Sequence, residues 1–268
     1  MPAPKKRSHR RYRKRAPSHA RLGQHFFTSG PVAHRIIRSM DLRQHHSVLE
    51  LGAGEGFFTR LIAPEVRSLT AIEIDPDLVI RLNTRFKSTE NIRIVRKSMT
   101  STIDFADFDV GFGNIPFNRT ADIFRKISRP PVGFESCHLI VQVEAAYRFL
   151  GSGRPTELAL LAYPFVDVRV GLKVPRWAYT PRPSVDSVVL HVLARQSPLV
   201  SRRNSRAFRF FVKTLLRSGT RKLWRVVGED ISFSRWRQIC VQVEIDPSDS
   251  HLALSMPQYI GLFDAINT

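Results

Sequence analysis

Short apolar runs alternate with segments of helical period between residues 30 and 195, and that alternation sets the first expectation about the fold. The runs Ser47 to Leu51, Leu69 to Ile74, Ile92 to Val95, Phe108 to Phe112 and His138 to Val143 are rich in Val, Ile, Leu and Phe and have the length of buried strands. Between them, Pro31 to Met40, Phe57 to Ile62, Pro76 to Phe86 and Ala121 to Ile127 space their apolar residues for helices. Two of these open on a proline, whose missing N–H and fixed φ suit the first helical turn. Phe165 to Val170 and Ser187 to Leu193 are two further strand candidates. Alternating strands and helices predict an α/β fold with a doubly wound, mostly parallel sheet, because parallel neighbours need a crossover between them. From Ser201 onward the pattern is helical, and a proline with several serines marks a boundary near Ser197 to Ser201. The expected organisation is an arm over 1–20, an α/β domain over 21–198 and a small helical domain over 199–268.

Just past that boundary, a helical wheel puts Arg202, Arg206, Arg209, Lys213 and Arg217 on one side and Phe208, Phe211, Val212, Leu215 and Leu216 on the other. This predicts a helix docked on a core with a cationic outer face, ended or bent at Gly219. The charge of the whole chain gives that face its meaning. With 42 Lys and Arg against 23 Asp and Glu, the formal net charge is +19. Nearly all the excess lies in residues 1–25 and 201–228, each holding nine basic residues and no acidic one. Lys5, Lys6, Arg7, Arg10, Arg11, Arg13, Lys14 and Arg15, flanked by Pro2, Pro4 and Pro17, cannot bury surface and predict a disordered arm that neutralises phosphates. A merely solubilising surface mixes both signs, so the two patches point to nucleic acid. A mitochondrial transit peptide is also Arg-rich, but this arm lacks a periodic apolar face. No apolar run approaches the roughly 18 residues of a membrane span. Cys137 and Cys240, outside any Cys/His cluster, suggest neither a disulfide framework nor a metal site. The expectation is a cytoplasmic protein without a metal and without a membrane partner.

Two features carry candidate chemistry. A strand running into Gly52-Ala53-Gly54-Glu55-Gly56 and then a helix presents backbone amides to a ligand where no Cβ stands in the way. Glu73, at the end of the next strand, is placed to accept from both hydroxyls of a ribose. The glycine spacing differs from the dinucleotide fingerprint and favours an adenosine cofactor without a pyrophosphate. The second feature is Asn114-Ile115-Pro116-Phe117, expected just after the fourth strand at the ligand-binding edge of the sheet. An adenine amino group is a poor nucleophile because its lone pair is delocalised into the ring. The Asn114 side-chain oxygen and the Ile115 carbonyl can each accept one of its N–H bonds and favour a pyramidal nitrogen, while Pro116 stiffens the loop and Phe117 stacks on the base. No general base is obligatory, since the methylated ammonium loses its proton readily to water. Alone, each feature also fits a purely structural turn.

These segments, with Leu22-Gly23-Gln24-His25-Phe26-Phe27, Val141-Gln142-Val143-Glu144-Ala145 and Pro181-Arg182-Pro183-Ser184-Val185-Asp186-Ser187, resemble in order and spacing the ribosomal RNA adenine N6-dimethyltransferases from about residue 21 to 194. The resemblance implies a Rossmann-like class I methyltransferase sheet, S-adenosylmethionine as cofactor and a helical RNA-binding domain at the C-terminal end. Within that family the chain looks more like the Erm enzymes, which methylate one adenine of 23S rRNA and so confer macrolide, lincosamide and streptogramin B resistance. The implied partner is 23S rRNA before ribosome assembly, met by a monomer. Position by position, the resemblance implies that Gln24 lines the methionine end of the cofactor, Gly52 and Gly54 its backbone cradle, Glu73 its ribose and Ser98 its adenine, with His25, Ala53, Ile74, Met99 and Asn114 also at the cofactor. Asn114 and Phe117 would hold the target adenine, and Tyr179, where the family usually has Phe, would close on it. Ser98 stands where the family commonly has Asp, so a contact to the cofactor's adenine loses charge assistance. The rival readings are the small-subunit dimethylase of the same family, a non-catalytic RNA-binding or transcription factor on this fold, and a DNA adenine methyltransferase.

Overall fold

A computed structural model describes residues 25–151, 153–219, 222–227 and 231–267. The basic arm, including Lys5 to Arg15, and Gln24 lie outside the described residues. The chain opens with β1 (Phe26–Phe27), α1 (Gly30–Ser39), β2 (Ser47–Leu51), α2 (Thr59–Ile62), β3 (Ser68–Glu73), α3 (Pro76–Arg85) and β4 (Ile92–Arg96). It continues with β5 (Val110–Asn114), α4 (Thr120–Ile127), β6 (Ser136–Gln142), α5 (Val143–Leu150), α6 (Glu157–Ala162), β7 (Val166–Val174), β8 (Tyr179–Thr180) and β9 (Ser187–Ala194). Four helices complete it: α7 (Ser205–Arg217), α8 (Trp224–Val227), α9 (Phe233–Val243) and α10 (Met256–Asn267). None of the helices searched is long and apolar enough to cross a membrane.

The main sheet has the order β4-β3-β2-β5-β6-β9-β7. Its first five strands run parallel, whereas β9 is antiparallel to β6 and β7 antiparallel to β9. From β2 the chain proceeds outward through β3 and β4, then returns to lay β5 on the other side of β2. That reversal leaves a crevice beyond the carboxyl ends of β2 and β5, the place where sheets of this kind take ligands. Alternate side chains fill two layers. Leu49, Leu51, Leu139 and Val141 face Ile123, Phe124 and Phe149 on one side, where the Phe124 and Phe149 rings stack at 4.2 Å. Val48, Leu69, Phe112 and Ile140 face Ile36 and Ile62 on the other. Each fully buried side chain of this size contributes about 1.5 to 3 kcal/mol.

The strands fall close to their predicted places, with instructive shifts. The fourth starts at Val110 rather than Phe108 and ends on Asn114, so Asn114 belongs to the strand instead of following it. Phe108 is held in a turn by its N–H to Phe105 O, and the Asp109 carboxylate accepts Ser47 N at 2.6 Å, fixing where pairing begins. The expected helix from Phe57 is shorter: regular α-helix begins at Thr59, because the glycine turn extends through Phe58. The segment from Ser197 to Ser201 is neither strand nor helix. The apolar core nevertheless crosses it, since Leu160 of α6 and Phe165 are buried with Phe208, Val212, Leu215, Trp236, Tyr259 and Phe263.

Candidate active site

The crevice holds a cavity of about 340 Å³, a size typical of small-ligand sites. Its floor begins where β2 runs out. Gly52 N and Ala53 N both donate to Ile72 O, at 2.9 and 3.0 Å, which turns the chain sharply across the end of β3. Gly52 has φ +81°, and a Cβ there would stand 2.7 Å from Met99 Cε, so any larger residue is both strained and crowded. Ala53, Gly54, Ile74, Ser98 and Met99 line the same cavity. Ser98 Oγ lies 2.8 Å from Thr100 Oγ1 and accepts Thr100 N, a local turn in place of a carboxylate.

Glu73 closes β3 almost completely buried, and its carboxylate accepts three backbone N–H groups. Oε2 accepts Gly54 N at 2.9 Å, while Oε1 accepts Ile74 N at 2.8 Å and Asp75 N at 3.0 Å. Three of the roughly four acceptor positions of a carboxylate are thus filled, leaving one on Oε2. The sequence argument gave this group two ribose hydroxyls; in this geometry it can accept one without giving up the Gly54 amide. Glu73 therefore also ties the glycine turn to β3. Immediately after it, the Asp75 carboxylate caps α3 by accepting Asp77 N and Leu78 N.

A second carboxyl group, Glu50 on β2, was given no role from sequence, although it lies inside the strand predicted at Ser47 to Leu51. It is buried, lines the cavity and accepts Thr59 Oγ1 at 2.6 Å. Burial pushes its pKa up to about 8, with the neighbouring Glu73 charge acting in the same direction. At neutral pH Glu50 is therefore mostly uncharged. Only an acid inside an otherwise apolar strand could have signalled this from sequence.

The far wall comes from Asn114, Ile115, Pro116 and Phe117. Arg119 N donates to Pro116 O, and Thr120 Oγ1 contacts Phe117 O, so the four residues form a tight turn feeding α4. The Asn114 side chain is held loosely: Oδ1 faces Tyr179 Oη at 3.4 Å and Nδ2 faces His25 O at 3.5 Å. Ile115 is buried, and Phe117, half-buried, has the His25 ring 5.7 Å away. Tyr179, expected to close on the target base, is held from behind. Only 2% of it is exposed, its ring packs edge-on against Phe27 at 5.0 Å, and it meets the cavity as a wall near Asn114. Burial pushes its phenol well above the ordinary range, so its hydroxyl stays a neutral donor.

Tyr179 and His25 arrive through a pairing that the sequence did not reveal. β1 runs antiparallel to β8, with Phe26 opposite Thr180 and Phe27 opposite Tyr179, and His25 Nδ1 contacts Pro181 O at 2.8 Å. The cations expected to meet RNA lie elsewhere: Arg202, Arg206 and Arg217 are exposed, Arg209 and Lys213 half-buried, and none lines this cavity. The basic residues that do line it, Arg85, Lys97 and Arg119, were not singled out by sequence. Among the described residues no group of three or more His, Cys, Asp or Glu could hold a metal.

A doubly wound sheet ending in an antiparallel pair, with a glycine turn after β2, an acid closing β3 and Asn-Ile-Pro-Phe closing β5, defines a Rossmann-like methyltransferase fold. The donor set fits S-adenosylmethionine: a carboxylate for a ribose hydroxyl, a main-chain cradle that a Cβ would fill, and the flat apolar walls of Ile74 and Met99 for an adenine. Residues 16–264 match the ribosomal RNA adenine dimethylase family, and the chain belongs to it, a family of S-adenosylmethionine-dependent methyltransferases. It is 30% identical over 249 residues to an rRNA adenine N-6-methyltransferase of Limosilactobacillus reuteri, covering 90% of this chain and 94% of that one. It is 33% identical over 178 residues to a probable ribosomal RNA small subunit methyltransferase A of Methanosarcina mazei, the match spanning 65% of each chain. Among solved structures it resembles the 23S rRNA methyltransferase ErmE, at 23% identity and a TM-score of 0.77 over 91% of this chain and all of that one. A dimethyladenosine transferase from Plasmodium falciparum follows at 19% identity and a TM-score of 0.70.

Proposed function

We propose that the protein transfers methyl groups from S-adenosylmethionine to the N6 amino group of an adenine in 23S rRNA, as a cytoplasmic monomer acting before ribosome assembly. The observation that carries this reading is the Asn114 carboxamide on the same cavity as Glu73 and the glycine turn, with its oxygen held only by a long contact to Tyr179. Asn114 Oδ1 is thereby available to accept an adenine N–H, and the Ile115 carbonyl to accept the second. Phe117, at the cavity rim, supplies a face for the base. The base must leave its stack to reach this pocket, because an amino group inside a helix cannot approach a site sunk in a sheet edge. When bound, the cofactor supplies an electrophilic methyl group. Glu73 and the Gly52 to Gly54 turn hold and orient that end of the cavity, while buried Tyr179 keeps Asn114 directed inward.

The choice of 23S rRNA, and with it macrolide, lincosamide and streptogramin B resistance, rests on the resemblance of the sequence motifs to the Erm enzymes; the relative in Limosilactobacillus reuteri, similar over nearly the whole chain, supports methylation of an rRNA adenine at N6. A second reading, the small-subunit rRNA, is favoured by the names of other relatives, including one in Bordetella bronchiseptica 27% identical over 92% of this chain. Incubation with labelled cofactor and naked 16S or 23S rRNA, followed by mapping of the modified base, separates the two. Label in a single adenine of 23S rRNA supports the proposal, label in 16S rRNA moves the substrate to the second reading, and no label in either refutes methyl transfer to rRNA.

A further inference from the structure

One large aromatic side chain stands outside every packed layer of the helical region. Phe210 on α7 is 75% exposed, while its sequence neighbours Phe208, Phe211 and Val212 turn into the core. Phe211 lies 5.6 Å from the Phe263 ring, but among the described residues no aromatic ring lies against Phe210. Helical spacing puts it on one stripe with Arg206 four residues before, Lys213 three after and Arg217 seven after, all on the outer face. Of these cations Lys213 alone has an acidic partner among the described ion pairs, Glu157 at 3.7 Å on α6.

The stripe continues into a cleft of about 420 Å³ between α4, α6 and the first turn of α7. Arg206 and Arg209 line it from α7, Arg125 and Arg129 face them from the end of α4, and no acidic residue lines it. Arg125 is paired with exposed Asp122 at 3.0 Å. Arginines from both parts of the molecule therefore meet along one track, although Arg125 and Arg129 belong to neither basic segment of the sequence. A cationic groove that follows a backbone, beside an aromatic ring on which a base can stack, is the composition of a surface for unpaired nucleic acid. A protein partner would call for a contiguous apolar patch. Here the ring is flanked along the helix by Ala207, Thr214 and cations.

We propose that Phe210 is a stacking platform for an unpaired base of the RNA substrate, away from the reacting pocket, with Arg206, Lys213 and Arg217 and the cleft arginines Arg125, Arg129 and Arg209 holding the flanking phosphates. The proposal rests on the reading of the protein as an rRNA methyltransferase and deepens it by giving the helical region a base contact. Its test measures binding of the rRNA transcript that the wild-type protein methylates, at several salt concentrations, for Phe210→Ala, Phe210→Leu and Phe210→Tyr. Loss of stacking should weaken binding about 5- to 150-fold in the Ala variant, the span that about 1 to 3 kcal/mol of base stacking represents at 1.36 kcal/mol per tenfold. The Leu variant, apolar but without a π face, should lose as much, and the Tyr variant should keep wild-type affinity. The salt slope should stay unchanged in all three, whereas Arg129→Ala and Arg206→Ala should each reduce it by roughly one phosphate contact. Unchanged S-adenosylmethionine affinity in each variant reports an intact fold.

Wild-type RNA affinity in Phe210→Ala would overturn the platform while leaving the methyltransferase reading in place. Full retention by Leu with loss in Tyr would overturn it in favour of an apolar protein contact. A wild-type protein that neither binds nor methylates rRNA would remove the methyltransferase reading itself, and the platform with it.

Discussion

Alkaline conditions should destabilise this protein through one carboxyl group at the base of its cavity. Glu50 is 2% exposed on β2, and burial raises its pKa from the ordinary value of 4.5 to about 8. Between those values the folded chain keeps a proton that the unfolded chain has released. The stability tied to neutral Glu50 is therefore fully present below pH 4.5 and is lost as the pH rises through 8. At 1.36 kcal/mol per unit the whole shift corresponds to about 5 kcal/mol, of which about 2 kcal/mol falls between pH 6 and pH 8. Glu50→Gln keeps the volume and an acceptor for Thr59 Oγ1 but removes the titration. Urea denaturation of both proteins from pH 6 to 9 should show the wild type losing stability relative to the variant along that curve. Parallel curves over the whole range would refute the assignment of a buried neutral acid.

Three further outcomes follow from the same geometry. Glu73→Ala should lower S-adenosylmethionine affinity and also free three backbone N–H groups, so calorimetry should register weaker binding and scanning calorimetry a lower Tm, by about 1 to 3 kcal/mol of stability. Wild-type affinity would remove Glu73 from the cofactor site. Phe117→Ala should slow methylation of rRNA by roughly one to two orders of magnitude with cofactor affinity unchanged, and Asn114→Ala should act more severely through turnover; wild-type rates in both would return the turn to a structural role. On the acid side, burial, reinforced by His191, pushes the pKa of His138 down to about 3. Its stabilising neutral form is present above about pH 6.5 and is lost as the pH falls below it, about 2 kcal/mol by pH 5. His138→Asn should flatten that acid limb in melting experiments, and an unchanged limb would show that other groups set it.

What could be read from sequence was what depends on neighbours along the chain. The strands at 47–51 and 68–73 and the helix at 76–85 announce themselves by apolar period, and α3 by Asp75-Pro76, a cap and a first-turn proline in register. Gly52, Glu73 and Asn114 could be brought to one place because topology delivers strand ends to one edge. The missing pieces depend on partners far away in the chain. Strand β1 is two residues long and exists only because β8 pairs with it. The helix α6 went unnoticed because its Leu160 packs on residues of the helical end, so its apolar face makes sense only beside α7. Glu50 looked like one letter of a strand until its burial beside Glu73 gave it a proton. Tyr179, expected to close on the target base, packs against Phe27, more than 150 residues upstream.

That short β1–β8 pairing sets an order of events during synthesis. Residues 25 to 28 leave the ribosome well before their partners: the strand and the Ala178 carbonyl that receive them come about 150 residues later. At roughly 5 to 20 residues per second, about 8 to 30 seconds separate the synthesis of β1 from that of β8. During that interval β2 to β5 can assemble the glycine turn and the Glu73 contact, while the wall made by His25, Phe27 and Tyr179 is still open. A growing chain thus carries a half-built cavity in which the Asn114 carboxamide still lacks its contact to Tyr179. On the reading proposed above, a protein directed at ribosomal RNA stays inert towards the ribosome that is making it until β8 and Tyr179 have been delivered.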